Sequence, residues 1–382
     1  MRQGKLFFEE MAYQRLDKGK DPLVTLAETV DWRIFEEPLR AFRESLRTTG
    51  SPAGRKPFDP LLMFKILVLG SLYNLSDDAM EYQIRDRLSF QRFCGLSLED
   101  RVPDAKTLWL FREQLTQAGL VEFLFARFDE ALRQMGLEAR KGQIVDASLV
   151  SVPIQRNSRE ENRQIREGNP PQEWSETKVR QKDTEARWTV KNGKSTFGYK
   201  NHIEADVSCK LIRRYAVTPA SVHDSQVFKE LLDLGNTSKD VWADSAYRSA
   251  SHLEYLRQEG YREHIQEKET SGHPLTRWEK QGNRTRSRTR SRVEHIFGAQ
   301  KQQAGTLLLR SIGLRDLVCK PPALYLPGDA GLRVSLRGKK VPCTLGKAFQ
   351  WERQATTGPP RECISSVARK SGSKNGFCRG SP

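Results

Sequence analysis

The chain has 382 residues, 37% of them hydrophobic, which is enough for two domains with real cores. No apolar run approaches the roughly 18 residues of a membrane span, and Met1 to Lys5 followed by Leu6, Phe7 and Phe8 is not a secretory signal, so the expected location is cytoplasmic. Six cysteines at irregular spacings without a CxxC pair suggest neither a disulfide framework nor a zinc site, and of the formal charge of +16, +9 falls between Cys319 and Pro382, where twelve Lys and Arg face three acids; motifs must carry any nucleic-acid assignment.

From about Leu23 to Gly136 apolar residues recur at three and four, with breakers at Ser51, Pro52, Gly54 and Pro57. This is an all-helical N-terminal domain, taken as 1–140. Its strongest helix runs from Pro60 to Tyr73, and Asp104 caps a helix carrying Leu108, Trp109, Phe111 and Leu115, with Trp109 and Phe111 expected in the core. Short helices with polar turns suit a helix-turn-helix with Lys106, Arg112 or Arg85 on its outer face, and suit a helical support with solvated charges equally well. At Gln143 the pattern turns to strand, Ile144 to Val150, opening an α/β domain expected over 141–314. A polar stretch at about 156–190 reads as a mobile insertion or basic loop. Strands follow at Tyr199 to Val207 and Leu211 to Thr218, then a helix from about Ser225 to Leu234 and a strand at Val241 to Ala243.

Asp146 follows Ile144 and Val145 inside an apolar strand, where an unpaired carboxylate costs several kcal/mol unless a cation or donors meet it. Asp244 repeats the arrangement after Val241, Trp242 and Ala243. Either aspartate could instead cap a helix or accept backbone donors. Glu294 lies on a helix whose Val293, Ile296 and Phe297 make one apolar side, and Arg290, Glu294 and Lys301 fall within about 40° to 60° of one another. The plain alternative is a surface i, i+4 pair worth perhaps 0.3 to 0.5 kcal/mol.

Five segments occur in order: Ile144-Val-Asp146-Ala-Ser-Leu-Val150, Phe197-Gly-Tyr-Lys-Asn-His202, Thr218-Pro-Ala-Ser-Val-His-Asp224, Val241-Trp-Ala-Asp244-Ser-Ala-Tyr-Arg248 and Arg290-Ser-Arg-Val-Glu294-His-Ile-Phe297. With them the chain resembles the DDE transposases of the insertion-sequence-five group, whose catalytic core is ribonuclease-H-like; the stretches Gly54 to Pro60 and Pro103 to Trp109 resemble the family's helical domain. The resemblance covers roughly Leu6 to Leu314. It implies that Asp146, Asp244 and Glu294 are catalytic and bind Mg²⁺ or Mn²⁺ as a two-metal site for phosphoryl transfer on DNA, with Arg290 and Lys301 at the signature's basic positions. Ser287 stands where the family often has tyrosine. Arg284, Arg286, Arg288, Arg290 and Arg292 alternate and suit a phosphate track. Tyr199, Lys200, His202, His223 and Asp224 either line the DNA groove or serve as core histidine and turn aspartate, with Lys200 the one counted as a DNA contact. The implied partners are terminal inverted repeats and target DNA, engaged by a homodimer or larger assembly.

Beyond Leu314 the resemblance ends. Residues 315–382 hold four of the six cysteines, two Pro-Pro pairs and no sustained period, so they read as an irregular, disordered or frameshifted tail. Two other functions compete: a metal-dependent nuclease on the same core, and a non-catalytic DNA-binding relic or repressor of transposition.

Overall fold

The structure, a computed structural model, describes residues 2–19, 21–46, 56–169, 171–191, 193–270, 272–303, 333–336 and 339–342. The breakers Ser51, Pro52 and Gly54 and nearly all of the tail, with any frameshift in it, lie outside the described residues. Within the tail only a strand pair, Arg333–Leu336 with Lys339–Pro342, is described.

The N-terminal part is helical: α1 (Arg2–Lys18), α2 (Pro22–Thr29), α3 (Glu36–Ser45), α4 (Pro60–Tyr73), α5 (Asp77–Asp86), α6 (Leu88–Cys94), α7 (Ala105–Gln117) and α8 (Leu120–Gln134). Helix α4 matches the expected bounds because both ends are chemically marked. Asp59 accepts the Leu62 N–H at 2.9 Å, Pro60 takes the first position, and Asn74 closes the helix in the left-handed conformation. The helix is apolar on nearly every side, so it runs through the middle of the bundle, with Met63, Ile66, Leu69 and Leu72 in one core with Phe35, Phe90 and Leu108. Asp104 caps α7 as expected, accepting from the Thr107 N–H at 2.7 Å. Phe111 is buried, but Trp109 is 48% exposed: α7 turns Leu108, Phe111 and Leu115 inward, and position 109 falls off that stripe. Arg112 forms two bonds to Asp77 at 2.8 and 2.6 Å, locking α7 to α5, while Lys106 faces solvent.

The second part is built on a six-stranded mixed sheet: β1 (Gln143–Ser151), β2 (Arg187–Lys191), β3 (Lys194–Asp206), β4 (Ile212–Pro219), β5 (Asp240–Ala243) and β6 (Arg262–Ile265). Strand β1 lies between β3, antiparallel, and β5, parallel; β6 extends the parallel edge, and β2 and β4 share the other side of β3. Two glycines permit this packing. A Cβ on Gly198, at φ +154, would sit 2.0 Å from the Val150 oxygen, and one on Gly142, at φ +88, 2.5 Å from the Asp240 oxygen. One face packs Val145, Val241 and Ala243 against α11 (Phe228–Leu231) and α12 (Ala250–Gln258). The other packs Ile144, Ile203 and Ala205 against Val293, Ile296 and Phe297 of α13 (Arg277–Gln303).

Two further expectations change. The helix expected over Ser225 to Leu234 is a 3-10 turn, Asp224–Val227, followed by the four residues of α11. The stretch at 156–190 is not a mobile loop: it folds as α9 (Arg159–Arg166) and α10 (Glu176–Arg180) and leads into β2. Ser158 and Glu161 form a capping box, and buried Trp174 donates to Glu161 at 2.9 Å beneath the ammonium of Lys178. One tryptophan with its hydrogen bond and cation–π contact thus organises a segment poor in aliphatics.

The two parts are joined by buried charges. On α8, Arg133 reaches Asp129 at 2.7 Å and Asp233 at 3.0 Å, and Arg213 of β4 reaches Asp129 at 2.6 Å and the Leu137 carbonyl. Asp206 stands 3.6 Å from the Arg213 Nε, and neighbouring Glu204, wholly buried, is held well above the usual carboxylate range by desolvation and by Asp233 and Asp206. Removing the central cation leaves buried acids uncompensated. Arg213→Ala is expected to cost about 3 to 5 kcal/mol, measured as a lowered urea midpoint, with Arg133→Ala, partly exposed, costing less.

Candidate active site

Register places Asp146 in the middle of β1, opposite Ile203 of β3, on the face covered by α13. Its Oδ1 accepts the Ala147 N–H at 2.8 Å, and its Oδ2 meets the Arg290 Nη1 at 2.7 Å. The side chain is 10% exposed. Burial pushes its carboxyl up to about 6; Arg290 and the Ala147 N–H pull it down, and the charges of Asp244 and Glu294 push it up again. The three acids singled out in the sequence therefore come within electrostatic reach of one another.

Asp244 sits just past the end of β5, the strand parallel to β1. It also fills the structural alternative, capping the 3-10 turn Ser245–Tyr247 through an Ala246 N–H bond of 2.9 Å. Glu294 is 60% exposed on α13, 3.9 Å from the Arg290 Nη2, so the i, i+4 pair exists as well. Tyr247, quoted in the fourth segment but given no role from sequence, is fully buried and feels Asp224, Asp146 and Asp244, which with burial raise its phenol well above its usual range. A tyrosine three residues past a strand-end aspartate was the available signal.

The alternating arginines do not form one track. Successive helical residues turn by 100°, so positions two apart point about 200° apart, to opposite sides. Arg286 and Arg290 turn inward, toward Glu267 at 3.8 Å and Asp146. Arg284 and Arg288 face solvent, and Arg292, on the same side, donates to the Val207 carbonyl at 2.6 Å. Lys301 lies in the last turn of α13, and its side chain lies outside the described residues. Ser287 accepts from Gln266 Nε2 at 2.7 Å, fixing the segment after β6 against the helix.

The residues of β3 and of the turn after β4 are engaged inside the fold. Tyr199 is buried and donates to Asp183 at 2.6 Å; Lys200 pairs with Asp224 at 2.8 Å and donates to the Val222 carbonyl; His202 lies 2.8 Å from the Thr218 hydroxyl. Burial pulls His202 down to about 4, so it is neutral at physiological pH. His223 caps the turn that begins at Asp224.

Among the described residues, no three His, Cys, Asp or Glu side chains form a ready-made metal cage. The donor set nonetheless suits a hard divalent cation: oxygen ligands only, one buried, and mutually repelling charges that a cation would neutralise. The Arg290 guanidinium also meets Asp146, at 2.7 Å.

Residues 10–114 match the model described as a transposase domain (DUF772), and residues 138–320 match the transposase DDE domain. The two matches support a DDE transposase. A solved structure, the piggyBac transposase synaptic complex with hairpin DNA, aligns with 13% identity and a TM-score of 0.41 over 88% of this chain and 80% of that one, and lends this chain no functional detail. No described helix is long and apolar enough to cross a membrane.

Because the folded Asp146 titrates near 6 rather than 3.8, its protonated form favours the fold; that stabilisation is complete below about pH 3.8 and lost as pH rises through about 6. In metal-free buffer, the stability of Asp146→Asn relative to the unsubstituted chain should rise from pH 4 to pH 7 by up to about 3 kcal/mol. Denaturant midpoints at the two pH values check this.

Proposed function

We propose that the protein is a DNA transposase of the insertion-sequence-five group that cleaves insertion-sequence ends and joins them to target DNA by metal-dependent phosphoryl transfer. The observation that carries this is the convergence of Asp146, Asp244 and Glu294, from two neighbouring parallel strands and the helix over them. The sheet order, with β3 antiparallel beside three parallel strands, is that expected of a ribonuclease-H-like core.

Asp146, Asp244 and Glu294 would hold Mg²⁺ or Mn²⁺, which supplies activation of the attacking oxygen and stabilisation of the leaving one in an in-line displacement. The chain's own residues prepare for this. Burial and the rigid sheet fix the Asp146 carboxylate, and the turn cap fixes Asp244. Arg290 pairs with Asp146 at 2.7 Å and, as a guanidinium beside the three acids, would also serve to hold a DNA phosphate at the site. Arg284, Arg288 and Arg292 make an outward cationic ridge along α13 that suits the phosphate backbone, and Lys301 continues the signature at its end. Arg286 and Lys200, held by internal carboxylates, support the site from within. A dimer or larger assembly on paired ends and a nucleoid location follow from this function.

On DNA carrying the element's ends with Mg²⁺ or Mn²⁺, the unsubstituted protein should nick and then form strand-transfer products. Asp146→Asn, Asp244→Asn and Glu294→Gln should each reduce cleavage at least about a thousandfold, in line with losing a main source of transition-state stabilisation, while DNA binding persists. Cleavage without joining would favour a nuclease. Binding indifferent to metal and to Asp146→Ala, without cleavage, would favour a relic or repressor. Arg284→Ala and Arg288→Ala should each flatten the salt dependence of binding by about 0.9 in log–log slope, measured by fluorescence anisotropy.

A further inference from the structure

The sheet carries an apolar tip that the site described above does not use. Beyond Gly198, β3 runs on with β2 as a hairpin, and Trp188 stands directly opposite Phe197, their rings 5.3 Å apart. Val150, Val152 and Tyr199 form the buried base of this cluster, against which Phe197 packs. Farther out the apolar residues emerge into solvent: Trp188 is 51% exposed, Val190 68%, and Ile154, two residues past Val152, 70%.

Strand alternation fixes the side on which the tip lies. Side chains two residues apart share a face, so Val150 lies on the Asp146 face of β1, and Tyr199 and Phe197 on the Ile203 face of β3. Paired residues share a face too, which puts Trp188 on the same side as the carboxylates. Phe197 is six residues from the position opposite Asp146, about 20 Å along the strand. That is the width of a duplex, so DNA held at the carboxylates would pass the hairpin.

Charge selects the occupant. Residues 186–197 hold three cations and no acid. Arg187 is turned in to the Thr184, Ala186 and Ile165 carbonyls, while Lys191, Lys194 and neighbouring Arg156 are exposed and have no carboxylate partner among the described residues. Edge lysines oppose pairing of β2 with a second copy. A half-exposed indole in a cationic setting is instead the arrangement that stacks on nucleobases.

Resting on the transposase function proposed above, we propose that the β2–β3 hairpin is a second DNA contact, in which Trp188, backed by Phe197 and flanked by Val190, stacks on an unpaired base of the bound DNA while Lys191 and Lys194 hold the adjoining phosphates. The contact reads strand opening rather than sequence, because every base offers a face to stack on.

The test compares two synthetic duplexes of equal length, one fully paired and one with a short unpaired stretch carrying 2-aminopurine, bound by the full chain without metal. The unsubstituted protein should prefer the opened duplex and change its 2-aminopurine emission. Trp188→Ala should lose about tenfold in affinity for the opened duplex, leave the paired duplex unchanged and abolish the emission change, and Trp188→Phe should restore most of the preference. Equal affinity of Trp188→Ala and the unsubstituted protein for the opened duplex, or equal losses on both duplexes, would overturn the proposal. Failure of the unsubstituted protein to bind either duplex would instead sink the DNA function on which it rests.

Discussion

A carboxylate in the middle of an apolar strand must be neutralised, and the organisation of the sheet and of α13 over it follows from that requirement at Asp146. Three influences compete there: burial and the nearby acids disfavour its charge, while Arg290 and one backbone N–H favour it. The balance leaves the carboxyl near 6, poised rather than settled. The sheet holds Asp146 rigidly on one side and α13 delivers its counter-charge from the other, so strand register and helix phase together define the site.

Helix α13 does several jobs because the helical turn separates them. Val293, Ile296 and Phe297 seal the sheet, Arg290 and Glu294 face the carboxylates, and Arg284 and Arg288 face solvent. The same economy appears at the joint between the two parts, where Arg133 and Arg213 tie α8 to the sheet through shared aspartates. Buried ion pairs of this kind add little net stability but strongly penalise other arrangements. The helical part is thereby held in one orientation to the sheet.

Elements with strong local marks were legible in the sequence. Helix α4 has a cap, a proline and a uniform apolar composition, and β1 a compact apolar run, so both were placed within a residue. Asp146 and Asp244 were legible as carboxylates in or at the end of apolar strand runs, whereas Glu294, 60% exposed beside Arg290, was marked only by the family resemblance. What was not legible depends on long-range contacts. The order at 156–190 comes from one tryptophan meeting Glu161 and Lys178, which composition does not disclose. β2 and β6 are short, and β6 is mostly polar; β2 forms along the N-terminal stretch of β3, and β6 beside β5. The arginine alternation looked like one track until helix phase divided it, and Lys200, expected at the groove, is held by Asp224.

Arg290 and a divalent cation would compete for Asp146. Crystals of the full chain soaked in saturating Mn²⁺ and measured at the manganese absorption edge test this directly. An anomalous peak in contact with Asp146 and with Asp244 or Glu294, with Arg290 moved off Asp146, is the predicted result. No peak there at saturating Mn²⁺, with Arg290 still bonded to Asp146, would contradict it.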